Sequence, residues 1–125
     1  MLKKTIRYTD YNGAKQEEDH YFNLSVTELM EVKTMLDKLI SSTDALVIAQ
    51  TIEAIILKAY GEKSLDGKRF VKSKELSEAF AQTAAFEQLF TELTMDTGAA
   101  AAFVNGIVPA DLSESTLRLA PMPMV

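Results

Sequence analysis

Apolar residues crowd most densely between Asp44 and Tyr60, DALVIAQTIEAIILKAY, where only Gln50, Thr51, Glu53 and Lys58 break the run after Asp44. Placed on a helix at 100° per residue, Ala45, Ile48, Ala49, Ile52, Ile55, Ile56 and Ala59 form one wide apolar face. The opposite row holds Leu46, Gln50, Glu53 and Leu57. A surface helix carries a single apolar stripe, so a helix apolar almost all round is either covered on both sides or presents a second face to a partner. For Leu46 and Leu57 both readings stand: burial under the helices that follow Lys74, or a docking row.

Before this stretch, residues 2–24 alternate as a β-hairpin about Asp10-Tyr11-Asn12-Gly13. A two-residue Asn12-Gly13 loop would mix apolar and acidic positions on each face. A three-residue loop, a type I turn with Gly13 in the left-handed region, pairs Leu2 with Phe22 and Ile6 with Glu18. It gathers Leu2, Ile6, Tyr8 and Phe22 on one face and sets Arg7 against Glu17 on the other. Because a one-residue slip exchanges the faces, the pattern favours the longer loop.

Ser25-Val26-Thr27-Glu28 reads as a capping box that starts a helix running to about Ile40, with Leu29, Val32, Leu36 and Ile40 on one face and Lys33 snorkelling out of it. The short polar link Ser41–Asp44 makes this helix an antiparallel neighbour of the central one. Gly61 is expected to cap the central helix, followed by a polar loop from Glu62 to Arg69. Ser73 caps a short helix, Lys74–Ala81, that buries Leu76, Ala79 and Phe80. Thr83 caps another with a stripe of Phe86, Leu89, Phe90 and Leu93, and Asp96 caps an alanine-rich one ending at Gly106 and Pro109. The expected fold is α+β, mainly α: an N-terminal β-hairpin on a small bundle of about five helices. After Leu112 the sequence SESTLRLAPMPMV loses charge and periodicity, which predicts a single domain over 1–112 and a flexible tail over 113–125. Leu117, Leu119, Met122 and Met124 in that tail are either a frayed end or an apolar segment of the kind a partner groove captures.

Composition narrows the chemistry. The chain has 125 residues, a formal net charge of −5 and no cysteine, so it has no disulfide framework and no thiolate nucleophile. No Lys/Arg cluster offers itself to a nucleic-acid backbone. With no secretory signal and no run of about 20 apolar residues, the sequence reads as a soluble intracellular protein. Glu17, Glu18, Asp19 and His20 are the one dense set of potential metal ligands, but along a strand they alternate sides and cannot converge. His20 falls on the apolar face beside Phe22 and reads as a packed strand-end histidine. No nucleophile elbow, phosphate loop or dinucleotide fingerprint is present, so no catalytic residue, cofactor or metal is expected.

The stretches KTIRYTDYNGAKQEEDHYFNLSVTELMEV, ILKAYGEKSLDGKRFVKSKELSEAFAQTAAFEQLFTEL and AAAAFVNGIVPADL resemble the tail assembly chaperones of long non-contractile-tailed phages and prophages of Gram-positive bacteria. The resemblance covers nearly all of residues 2–112, and YGEKS-DGKRF, Ser77–Phe80 and Asn105-Gly106 to Asp111 carry it best. It implies a non-enzymatic protein of the host bacterial cytoplasm, absent from the mature virion. Such a protein binds the tape measure protein, keeps it soluble and helps tail tube subunits polymerise round it. It also implies that any frameshifted extension would begin after Leu112. The expected contacts are Leu46, Gln50, Glu53 and Leu57 on the central helix, and Leu117, Leu119, Met122 and Met124 in the tail. The alternative is a small phage transcription regulator with a helix-turn-helix over 74–94. Its second helix, however, offers Gln88, Glu87 and Glu92 and no Lys or Arg.

Overall fold

The computed structural model describes residues 1–109, which form a four-stranded antiparallel sheet and five helices. Strands β1 (Leu2–Thr9) and β2 (Lys15–Phe22) pair with Leu2 opposite Phe22, Ile6 opposite Glu18 and Arg7 opposite Glu17. This is the register of the longer loop. The Gly13 N–H donates to the Asp10 carbonyl at 3.0 Å, the Asp10 N–H donates to the Ala14 carbonyl at 2.8 Å, and Gly13 adopts φ 84°. Glycine takes that φ without steric cost, so Gly13 sets the loop and the loop sets the faces. Ile6 and Phe22 are buried, whereas Lys3, Thr5 and Arg7 face solvent.

Helix α1 (Val26–Ser41) starts at the predicted capping box: the Glu28 N–H donates to Ser25 Oγ at 3.2 Å and the Ser25 N–H donates to Glu28 Oε1 at 2.9 Å. Its inner face is Leu29, Val32, Leu36 and Leu39, and Ile40 is 83% exposed rather than part of it. The wheel explains the correction, because Leu39 lies about 20° from Val32 and Ile40 about 80°. Lys33 is exposed, as its snorkelling requires.

Helix α2 (Ala45–Ala59) packs against α1 and is capped by Asp44 Oδ1, which accepts from the N–H groups of Leu46 and Val47. Thr51, Ile52, Ile55, Ile56 and Ala59 are buried. Ala45, read from the pattern as part of that face, is exposed because it lies at the open first turn.

The chain leaves α2 differently from the expectation. Gly61 does not cap the helix in a left-handed conformation; Tyr60 is the C-cap at φ −65° and ψ 141°, and Gly61 is already in a strand. Strands β3 (Tyr60–Lys63) and β4 (Phe70–Val71) form a second hairpin that the sequence did not suggest, and the sheet order is β1-β2-β3-β4. Of the expected polar loop Glu62–Arg69, residues 64–69 connect the two strands, and Glu62 and Lys63 belong to β3. Tyr21 pairs with Gly61 and Phe22 with Tyr60, so β3 covers only the end of β2. A Cβ on Gly61 would sit 2.5 Å from the Phe70 ring and 2.7 Å from the Val71 carbonyl oxygen, so this close crossing of β3 and β4 requires glycine.

Three capped helices complete the description. Helix α3 (Lys74–Ala81) starts at Ser73, α4 (Ala84–Met95) at Thr83 and α5 (Thr97–Ile107) at Asp96, each cap accepting backbone N–H groups through its side-chain oxygen. Phe80 is buried and Leu76 half-buried, but Ala79 is exposed, since on an eight-residue helix it turns away from Phe80. Helix α5 passes through Gly106 and ends at Ile107, just before Pro109. The core lies between the inner face of the sheet and the helices, each of which contributes to it. Phe22, Leu24, Val32, Ile56, Leu89 and Ile107 are its largest fully buried side chains among the described residues, and burying one of this size contributes roughly 2 kcal/mol.

Candidate functional site

The short link of Ser42, Thr43 and Asp44 leaves the end of the α1–α2 helical hairpin in solvent. Here the row predicted on α2 divides. Leu46 is 65% exposed, and Gln50 and Glu53 beside it are exposed as well. Leu57 is half-buried against the core, and the Ser77 hydroxyl of α3 donates to its carbonyl at 3.0 Å. Helix α3 therefore covers the C-terminal half of α2 and leaves the N-terminal half open. The structure brings Leu46, Gln50 and Glu53 onto one solvent face and withdraws Leu57 from it. Leu117, Leu119, Met122 and Met124 lie outside the described residues.

Two exposed apolar side chains of α1 escaped the sequence reading. Ile40, at the same end of the helical hairpin as Leu46, is 83% exposed, and Met30 is 74% exposed. Met30 carried a legible signal, since it sits off the Leu29–Val32–Leu36 stripe. Ile40 did not, because it and Leu39 compete for the stripe and one residue's rotation decides between them. Charges surround this end without neutralising it: the ion pair that crosses between the helices, Lys58 to Glu31 at 3.1 Å, lies nearer the other end.

The acidic stretch of β2 is structural. Glu17 pairs with Arg7, and Asp19 accepts from the Thr5 hydroxyl at 2.6 Å, both on the outer face. Glu18 accepts from the Tyr8 hydroxyl at 2.6 Å, and that hydrogen bond, with some burial and the carboxylate's charge, pushes the phenol up to about 12. His20 packs 5.2 Å from the Phe80 ring and 6.3 Å from the Tyr60 ring, which itself stacks on Phe80 at 4.1 Å. Its Nε2 lies 3.3 Å from Glu18 Oε1, but the geometry makes no hydrogen bond, and the buried nitrogen has no partner among the described residues. Among the described residues no three His, Asp or Glu side chains converge on a point where a metal ion would sit.

Helices α3 and α4 follow each other across Gln82 and Thr83, as a helix-turn-helix would. Helix α4 exposes Glu87, Gln88 and Thr91, and its Glu92 pairs with Lys4 of β1 at 2.7 Å. That surface offers a phosphate backbone carboxylates rather than cations.

Comparison with known proteins gives one result. A family model described as phage tail assembly chaperone matches residues 1–120. No curated protein and no solved structure matches the chain.

Proposed function

Because this chain belongs to the phage tail assembly chaperone family, a non-enzymatic family of bacteriophage assembly, we propose that it binds the phage tape measure protein, keeps it soluble and assists tail tube polymerisation. The observation that carries this reading is the exposure of Leu46 and Ile40 at one end of the α1–α2 hairpin. Large apolar side chains in solvent are costly to solubility unless a partner covers them. A long helical client presents apolar stripes of matching chemistry, and covering those stripes prevents the client from associating with itself. Gln50 and Glu53 border Leu46 on the same helix face and supply polar contacts for the rim of such an interface.

The client leaves with the assembled tail and the chaperone does not, so the site of action is the host cytoplasm. Among the described residues no helix is long and apolar enough to cross a membrane. Co-expression with the tape measure protein tests the reading. The client is expected to be soluble and to co-purify with this chain. Equal solubility with and without it, and no co-purification, sinks the proposal. Mass spectrometry of purified virions provides the second check, because a chaperone is missing there and a structural tail component is present.

A further inference from the structure

The cations of this chain are unevenly placed. Lys58, Lys63, Lys68, Arg69, Lys72 and Lys74 are six of its 13 Lys and Arg residues, and only two acids, Glu62 and Asp66, stand among them. The stretch 58–74 therefore carries +4 in a chain of net −5 and leaves −9 on the remainder. Interleaved with other residues, these cations form no run in the sequence, and the β3–β4 hairpin gathers them. Lys58 is paired with Glu31 at 3.1 Å and Lys72 with Glu28 at 2.6 Å. Lys63, Lys68 and Arg69 are exposed around the end of the hairpin and have no ion-pair partner among the described residues. Lys63 Nζ lies over the Tyr21 ring, 5.4 Å from its centroid.

Between these cations stands Leu65, the most exposed large apolar side chain among the described residues. The loop that carries it is held by its own hydrogen bonds. The Ser64 N–H donates to the Arg69 carbonyl and the Gly67 N–H to the Ser64 carbonyl, both at 2.9 Å, with Gly67 at φ 73°. Asp66, the one acid of the loop, accepts at Oδ1 from the Ser64 hydroxyl at 2.6 Å and the Lys68 N–H at 3.0 Å, and these bonds hold its carboxyl below the usual range. The loop thus presents Leu65 outward while its own carboxylate is engaged. An open cleft of about 550 Å³ adjoins it, lined by Lys63, Leu65, Arg69 and Val71 together with Glu62 and Asp66. Strand β4 is the last of the sheet, so the outer side of the hairpin has room for an extended segment. Lysines on a sheet edge by themselves guard against self-pairing, but a guard has no use for an exposed leucine at its centre.

We propose that the end of the β3–β4 hairpin, with Lys63, Leu65, Lys68 and Arg69, is a docking surface for an acidic segment of a partner protein, whose carboxylates meet the three cations and whose apolar side chain covers Leu65. Charge selects this occupant. Exposed charges act over about 8 Å at physiological ionic strength, and a short acidic segment lies within that reach of the hairpin alone. A nucleic acid or an anionic bilayer extends past the hairpin to the −9 on the rest of the chain and is repelled there. The surface is separate from the exposed end of the α1–α2 hairpin. Leu46 lies in the first turn of α2, and β3 begins at Tyr60, where α2 ends, roughly 20 Å away along the helix.

The test titrates the full isotope-labelled chain with a capped, Glu-rich synthetic peptide that carries one central leucine. The expected result is saturable amide shifts confined to residues 62–71, lost at high salt and absent with the same peptide carrying Gln for Glu. Lys68→Glu/Arg69→Glu is expected to weaken binding on the order of tenfold, and Leu65→Ser about fivefold. Both variants are expected to unfold at the parent midpoint, because the side chains they replace are exposed. No saturable shift at these residues overturns the proposal, and so does parent affinity in either variant. Equal or tighter binding of a single-stranded oligonucleotide or of phosphatidylserine vesicles at the same residues gives the hairpin to another anion and overturns it as well. No tape measure protein enters this experiment, so its outcome is separate from that of the co-expression test.

Discussion

Lys72 ties together three elements that no local rule connects. Its ammonium donates to the Asn23 carbonyl at 2.6 Å, to Glu28 Oε1 at 2.6 Å and to the Lys58 carbonyl at 2.8 Å, joining the end of β2, the start of α1 and the end of α2. The two partners do not shift as mirror images. Burial pushes the Glu28 carboxyl up, but the hydrogen bonds from Lys72 and the Ser25 N–H, with the ammonium's charge, outweigh it and leave the group below its usual range. Burial lowers Lys72 too, and there it outweighs the pairing with Glu28. Three acceptors around one nitrogen are the environment of a charged ammonium, so the pair is ionised at neutral pH. Lys72→Met leaves Glu28 short of its cation and two carbonyls unpaired, and is expected to cost about 2–4 kcal/mol, read as a lower urea midpoint. The pH dependence follows in sign. A carboxylate with a depressed folded-state pKa adds stability above its unfolded value of about 4.3, and that stability is lost as pH falls through the lower folded value. The urea midpoint is therefore expected to drop between pH 5 and strongly acidic solution more steeply in the parent chain than in Lys72→Met, and equal slopes would remove Glu28 from the account. None of this was legible beforehand. Nothing in the sequence around Lys72 assigns it a role, because its bonding partners lie 14, 44 and 49 residues away.

At the scale of elements, what the sequence made plain is what short-range chemistry determines. The hairpin register followed from the Asp10–Gly13 turn and the alternation beside it, and four helices began at the side-chain cap expected of them, Ser25, Ser73, Thr83 and Asp96, while α2 takes Asp44 from the polar link Ser41–Asp44. The second hairpin was missed because its cause is not local. Glycine after an apolar helix has the signature of a C-terminal cap, whereas here it permits Phe70 and Val71 to cross at van der Waals distance. The two roles predict different mutants. Gly61→Ala forces a Cβ against a backbone carbonyl 2.7 Å away, and is expected to cost about 1–3 kcal/mol. Gly106→Ala meets Leu2 Cδ1 at 2.9 Å, which can rotate away, and Leu2 Cβ at 3.3 Å, which must give by a few tenths of an ångström, a strain that offsets part of the gain of up to about 1 kcal/mol in helix propensity. Thermal unfolding of the two variants checks the order: Gly61→Ala is the weaker protein, and a cost at Gly61 no greater than at Gly106 contradicts the tight crossing.

At the scale of the molecule, the candidate site was half legible for the same reason. The wheel isolated Leu46, Gln50, Glu53 and Leu57 as a row, but only tertiary packing could divide it, and α3 covers Leu57 while stopping short of Leu46. This division separates binding from folding in a way that mutants can read. Leu46→Lys and Ile40→Lys replace side chains that are 65% and 83% exposed, so each is expected to change stability by no more than about 0.5 kcal/mol. Leu57→Ala removes half-buried apolar atoms and is expected to cost about 1–2 kcal/mol. If the end of the α1–α2 hairpin holds the client, the Leu46→Lys/Ile40→Lys variant unfolds at the parent midpoint yet recovers clearly less soluble tape measure protein on co-expression. Leu57→Ala, tested below its own midpoint, keeps the client soluble. The opposite ranking, with client lost in Leu57→Ala and retained in the double lysine variant, would move the contact off the exposed end and onto the junction of α2 with α3.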